Sequence, residues 1–364
     1  NMVALYFYSA LSQFKQELFG PAEDTLKEFM KVCPDSPAAL NLYNCIKFRS
    51  NKPVNMDITS LSTLYPSARL LFKHNHVIFT GGTNALQVLP TLIDDVPEAL
   101  LNLTIYHLNR DDYDAAFKLI DPYTPTTPYG FLLKAIVCLL IGQTKFNGKY
   151  MMEAREYFQQ VGTDRNITNT LNGRLAMSAY FFLAGLWDDC IWYLLSVKDL
   201  FELDDRYNLN YGQALVMNER YADAINVLNL VNTLRTPLYT QFLVKAYVMN
   251  GQAQHAWDVF MKVRNSNESA VLLKIIAEDS CKTRQFYSMV RAYDALEKID
   301  PSPDHWIGKR AAVSGQFIQL VKGNSTGKEM SEVLQYLQNG NHSQIESITR
   351  TIASWCANNG VQLS

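Results

Sequence analysis

The chain lacks three things that would narrow its chemistry: a long apolar run, an excess of charge of one sign, and closely spaced cysteines. Its most apolar stretch, Phe131 to Gly142, is about 12 residues long and contains Lys134, whereas a membrane-spanning helix needs about 20. No membrane-spanning segment is expected. The opening residues, Asn1-Met2-Val3-Ala4-Leu5-Tyr6, have neither a methionine at position 1 nor a charged region ahead of an apolar one. They read as the interior of a longer protein rather than as a signal peptide. The 33 basic and 35 acidic residues leave a formal charge of −2 without long like-charge blocks. Nothing in that balance draws the chain to nucleic acid phosphates or to an anionic membrane. The expected partners are therefore proteins, with no nucleic acid and no direct membrane insertion. Six cysteines (Cys33, Cys45, Cys138, Cys190, Cys281, Cys356) include no Cys-x-x-Cys pair, and each sits in an apolar helical pattern. They read as reduced core thiols in a cytosolic-type compartment.

Motifs that carry catalysis or bind metals are also missing. Gly323-Asn-Ser-Thr-Gly327-Lys328-Glu329 resembles a phosphate loop, but that motif needs four residues between its glycines, Ser or Thr after the lysine, and a preceding strand. A loop between helices accounts for it better. His74-Asn-His76 offers two imidazoles with no further ligand at useful spacing, so neither a metal nor a cofactor is expected. Asn102-Leu-Thr104 and Asn166-Ile-Thr168 match the glycosylation sequon, which matters only in a secreted chain. The carboxylate pairs Asp94-Asp95, Asp188-Asp189 and Asp204-Asp205 fall between helical blocks, where caps and solvated turns explain them without acid–base catalysis. The chain does not read as an enzyme.

Apolar side chains are what is abundant: 48% of the 364 residues are hydrophobic and 12% aromatic, enough for a large core. Single cores stop growing at roughly 250 to 300 residues, so the chain must divide or extend its core as stacked repeats. Strand alternation is nearly absent, while apolar residues recur at helical spacing in blocks separated by short polar turns. The fold class is all-α.

The blocks pair off. In the second helix of successive pairs a small residue is followed four positions later by a large one: Ala116 and Ile120, Ala154 and Phe158, Cys190 and Leu194, Ala224 and Leu228, Ala256 and Phe260, with Met289 and Tyr293 continuing the series. The small positions are 38, 36, 34, 32 and 33 residues apart. These intervals centre on the tetratricopeptide period of about 34. The small side chain lets the second helix approach the first, and the large one fills the space between neighbouring pairs. The best single copy, Asn208 to Ala224, has its small first-helix residue at Gly212 and an aromatic, Tyr221, opening the second helix. Asp112 and Asp188 are expected to cap helix N-termini.

These observations predict a right-handed tetratricopeptide-repeat superhelical solenoid. Residues 1–96 form degenerate hairpins, among them one containing Gly81-Gly82 before Val96; residues 97–303 form the repeats. Residues 304–364 form capping helices, over about 304–321, 328–338 and 342–357, whose stripe of Ile345, Ile348, Ile352 and Trp355 covers the solenoid end. Such repeats bind through a concave face lined by first helices, which here carries Gln213, Gln241, Lys245, Lys274 and Glu278. An ordinary solvated face would carry the same residue types. A co-chaperone that clamps C-terminal carboxylates needs Lys and Asn at fixed first-helix positions, whereas Lys274 is followed four residues later by Glu278. That co-chaperone, or another assembly adaptor unrelated to cilia, is the alternative reading.

Three stretches go beyond generic repeats: Lys73 to Pro90 with its Gly81-Gly82, Tyr247-Val-Met-Asn250 with Ala256-Trp257, and Asp300 to Arg310 with its Trp306-x-Gly308-Lys309-Arg310. In these the chain resembles the intraflagellar transport protein fifty-six family, also called tetratricopeptide repeat protein twenty-six, from about residue 40 to the C-terminus. The first 40 residues match only as helices. The resemblance implies a subunit of intraflagellar transport complex B at the cilium or flagellum, the basal body and the cytoplasm. It further implies docking to other complex B subunits, notably intraflagellar transport protein forty-six, help in delivering motility-related axonemal cargo, and a family chain with additional N-terminal repeats.

Overall fold

The computed structural model describes residues 2–54, 57–263, 268–340 and 342–363. Among them there are helices and turns and no strand. Packing groups the chain into two compact units, residues 1–167 and 168–364.

The first unit contains α1 (Met2–Lys15), α2 (Phe19–Val32), α3 (Pro37–Arg49), α4 (Ile58–Leu64), α5 (Arg69–Phe79), α6 (Ala85–Val88), α7 (Pro97–Leu108), α8 (Tyr113–Ile120), α9 (Pro128–Thr144) and α10 (Gly148–Thr163). Helices α1 and α2, α7 and α8, and α9 and α10 pack as hairpins. The expected hairpin around Gly81-Gly82 has only one full arm. Both glycines are left-handed, at φ 68° and 91°. Beyond them the chain makes four-residue α6 and a 3-10 turn, Leu89–Leu92, in place of a second full helix. Pro90 lies inside that turn, where its ring and missing N–H prevent α6 from continuing.

The second unit contains α11 (Leu171–Ala184), α12 (Trp187–Leu195), α13 (Lys198–Phe201), α14 (Asp205–Met217), α15 (Tyr221–Leu228), α16 (Pro237–Met249), α17 (Ala253–Val263), α18 (Ser269–Lys282), α19 (Phe286–Ile299), α20 (Pro303–Val321), α21 (Gly327–Gln338) and α22 (Ile345–Asn358). Several long helices pack both against the partner in the hairpin and against the next hairpin: α14 meets α15 and α16, α16 meets α17 and α18, and α19 meets α20 and α21. The core is therefore built locally. One cluster runs from Cys190 to Ala246, the next from Val244 to Leu296, and the last from Met289 to Cys356. That succession is the one-dimensional packing of repeats, with neighbour burying neighbour.

Chain reversal inside each repeat hairpin relies on one left-handed residue. Asp111, Phe146, Gly185, Glu219, Gly251 and Arg284 all have positive φ, and each stands between the first and second helices of its pair. Side chains start the first helices. Thr127, Thr236 and Ser302 accept backbone N–H bonds at Gly130, Tyr239 and Asp304, and each is followed by a proline whose missing N–H costs nothing there.

Candidate protein-binding surfaces

The repeat-defining positions lie at helix contacts. Ala116, Ala154, Ala224 and Ala256 are fully buried, and Cys190 and Met289 nearly so. Gly212 faces the side of Leu228, and a Cβ at this glycine would stand 2.4 Å from Leu228 Cδ2. Burial pushes the Cys190 thiol up to about 12 and those of Cys45 and Cys138 up to about 11, which makes them poor nucleophiles. The reading of all six cysteines as core thiols needs correction. Cys138, Cys190 and Cys356 are buried, Cys33 and Cys45 are half-buried, and Cys281 is exposed. Cys33 also lies just past the end of α2, as its C-cap.

The first-helix candidates differ in exposure. Gln213 on α14 is buried, Gln241 and Lys245 on α16 are half-buried, and Lys274 and Glu278 on α18 are exposed. Gln241 with Lys245, and Lys274 with Glu278, are separated by four residues and so share a side of their helices. Helices α14, α16 and α18 are consecutive neighbours. Among the described residues neither Lys245 nor Lys274 has an ion-pair partner. The row thus offers two unpaired cations and one unpaired anion, while Gln213 contributes little surface.

The more specific sequence motifs are occupied with structure. Lys309 is fully buried, with Nζ 2.7 Å from Asp294 Oδ1 and 3.0 Å from Glu297 Oε2, so α20 is tied to α19. A Cβ at Gly308 would fall 2.3 Å from the Tyr293 ring, which lies directly on the helix there. Trp306 stacks on His342 with centroids 4.2 Å apart, and Arg310 donates to Gln344 Oε1 at 2.9 Å. The Trp-x-Gly-Lys-Arg stretch therefore fastens the C-terminal helices to the last repeat. The lysine is retained by ion pairs because an uncompensated buried charge is costly.

His74 belongs to a polar relay. Asn75 Nδ2 donates to Asn41 Oδ1 at 2.6 Å, the His74 ring lies 2.9 Å from Asn75 Oδ1, and its other nitrogen lies 2.9 Å from Asn102 Nδ2. A neutral ring with Nδ1 protonated satisfies both contacts, leaving no nitrogen for a metal. Among the described residues no group of three or more His, Cys, Asp or Glu side chains converges as metal ligands would. The glycine-lysine stretch starts α21. Thr326 and Glu329 form a reciprocal capping box, and a Cβ at Gly327 would meet the backbone oxygen of Gln362.

The acidic pairs act locally. Asp112 caps α8 through Ala115 N. Asp188 does not cap α12, contrary to expectation: Leu186 holds the cap position, and Asp188 inside the first turn accepts from Asn218 Nδ2 at 2.8 Å, bridging to the following repeat. Asp204 caps α14 through Tyr207 N at 2.7 Å. Asp205 accepts from the Thr233 hydroxyl and from the backbone N–H groups of Asn232, Thr233 and Leu234. These bonds hold its carboxyl far below the usual carboxylate range, the Thr233 hydroxyl being the largest influence. A strongly perturbed carboxylate here marks a loop anchor.

Stacked helical hairpins, with a small residue buried in the second helices α8, α10, α12, α15 and α17, define a tetratricopeptide-repeat protein. Comparison narrows the class. The model of the family described as intraflagellar transport protein 56 matches residues 1–364, and the chain belongs to that family. A curated relative, the intraflagellar transport protein 56 homolog of Caenorhabditis elegans, is 32% identical over 390 aligned residues, covering 100% of this chain and 68% of the relative. Among solved structures, a tetratricopeptide repeat protein from Parabacteroides merdae aligns with 15% identity and a TM-score of 0.37, covering 75% of this chain and 98% of its own. A signal transduction ATPase with numerous domains and a tetratricopeptide repeat sensor, from Pyrococcus horikoshii, aligns with 13% identity and a TM-score of 0.41, covering 93% of this chain and 54% of its own.

Proposed function

We propose that this chain is a non-enzymatic docking subunit of intraflagellar transport complex B, which joins other subunits, intraflagellar transport protein 46 among them, and helps deliver motility-related axonemal cargo. Its place of work is the cilium or flagellum, with pools at the basal body and in the cytoplasm. The observation that carries this reading is the match of one intraflagellar transport family over the full 364 residues. In this reading residues 97–303 supply the docking repeats, residues 1–96 extend them and residues 304–364 cap them. The first-helix row of Gln241, Lys245, Lys274 and Glu278, with Gln213 at its edge, is the docking face. A specific interface of this kind buries about 1,200–2,000 Å², with its energy concentrated in a few anchors.

The test is recovery of complex B subunits on the tagged chain from ciliated cells. The parent is expected to recover them, and Lys245→Glu with Lys274→Glu is expected to lower recovery while leaving thermal unfolding unchanged. Equal recovery by the double variant would take docking away from this face. Absence of complex B subunits from the parent would remove the complex assignment.

A further inference from the structure

Helix α12 departs from its counterparts at a position that the repeat leaves to solvent. Two residues after Ala116, Ala154, Cys190, Ala224, Ala256 and Met289, the repeat-marking positions of the second helices, the chain carries Lys118, Glu156, Trp192, Asn226, Asp258 and Arg291. Five are polar or charged, as an outward position requires, and the sixth is a tryptophan left 63% exposed. The core contacts of α12 are made by Cys190, Ile191 and Leu194, and among the described aromatic residues Trp192 meets only the adjacent Tyr193 ring, edge-on, with centroids 5.0 Å apart.

One turn on, Leu195 lies on the same side of the helix and is 44% exposed. Past α12, Leu200 is 69% exposed and Leu203 89% exposed. The connection that bears them is anchored from below. Val197 is buried, and Phe201 stacks on Tyr207 with centroids 5.7 Å apart. The Tyr207 hydroxyl donates to Leu194 O at 2.8 Å. Four large apolar side chains thus stand exposed within residues 192–203, on a segment that the core holds in place, and exposed apolar surface concentrated in this way marks an interaction site.

Charge indicates what covers it. Residues 188–206 contain Asp188, Asp189, Asp199, Glu202, Asp204 and Asp205 against Lys198 and Arg206, in a chain whose acidic and basic totals nearly balance. Asp188, Asp204 and Asp205 are engaged in the hydrogen bonds described above. Asp189, Asp199 and Glu202 are exposed, and among the described residues they have no ion-pair partner. Arg174, which reaches the connector at Ser196 O, offsets only part of this charge, and the net negative rim repels an anionic bilayer and a second copy of itself.

We propose that the α12–α13 surface docks a basic amphipathic helix of a partner protein. The apolar stripe of that helix covers Trp192, Leu195, Leu200 and Leu203, and its lysines or arginines face Asp189, Asp199 and Glu202. An apolar stripe laid on an exposed aromatic anchor gives affinity, and the complementary rim fixes orientation and excludes acidic competitors. The surface is built by a second helix and its connector, apart from the first helices that carry Lys245 and Lys274. It stands whether or not the complex B assignment does.

The test uses the purified full chain and a fluorescent helical peptide of about 18 residues with leucines along one face and lysines elsewhere. Two controls accompany it: a scrambled peptide of identical composition, and one with glutamates in place of the lysines. The parent is expected to bind the amphipathic basic peptide and neither control. Trp192→Ala with Leu203→Ala, and separately Asp199→Lys with Glu202→Lys, are each expected to weaken binding at least about tenfold while keeping the parent's circular dichroism and melting midpoint. If the apolar variant fails to fold, the charge variant decides alone. No binding by the parent, equal binding of the scrambled peptide, or unchanged affinity in a folded variant would overturn the proposal. Two further outcomes would also overturn it. Pelleting with phosphatidylserine vesicles that Trp192→Ala abolishes would assign the surface to membranes, and concentration-dependent dimerisation that the same change abolishes would assign it to a second copy.

Discussion

Gly212 shows how one atom sets the approach of two helices. With no Cβ, it admits the fully buried Leu228 of α15 against α14; a methyl group would stand 2.4 Å from Leu228 Cδ2. Glycine is needed here for closeness, since its backbone is ordinary helix. Gly212→Ala would improve helix propensity yet force the pair apart, and overpacking of this kind typically costs about 1–3 kcal/mol. Urea unfolding should therefore show the variant less stable than the parent. A midpoint equal to or above the parent's would mean that α14 and α15 do not meet at this glycine. The small residue at position 212 was legible in the sequence because it falls at a fixed offset in a repeat, while the residue it admits was not, because contact across the hairpin leaves no local pattern.

Among elements, the link between α14 and the loop that precedes α16 depends on one carboxylate. Asp205 gathers four donors from Asn232, Thr233 and Leu234. Its pKa is lower in the folded chain than in the unfolded one, so the unfolded state takes up the proton first as pH falls. The stabilisation is complete above the unfolded value of about 3.9 and fades as pH drops below it toward the folded value. Asp205→Asn should melt lower than the parent at pH 7, and the gap should narrow as the pH is lowered through about 4 toward 3. A gap that stays constant across that range would contradict the role given to this carboxylate.

Helix existence and pairing were legible in the sequence, since apolar spacing and a repeating small–large pair report burial directly. The turns were less so. Glycine marks the left-handed turn at Gly185 and Gly251, yet Asp111, Phe146, Glu219 and Arg284 adopt the same conformation with side chains that give no such signal. Asp188 is a bridge and not the expected cap: an acidic residue near a helix start serves equally as either, and only the neighbouring repeat, through Asn218, decides between them. The exposure of Trp192 is equally hidden in the sequence. An aromatic in a helical block reads as core until the blocks are aligned and its position proves to be the outward one.

At the scale of the whole molecule, the core is a series of separate clusters, each built by neighbouring helices. Buried Lys309 and Asp294, with half-buried Glu297, fasten α19 to α20. On the proposed reading, the first-helix row and the α12–α13 platform are two places where different proteins are held. The family to which the chain belongs makes intraflagellar transport the process it serves. The most direct measurement is live imaging of the fluorescently tagged chain in growing cilia. Processive movement in both directions, at the speed of a complex B marker in the same cilium, is the result predicted. Diffusion without directed runs, alongside a complex B marker that moves normally, would contradict the account.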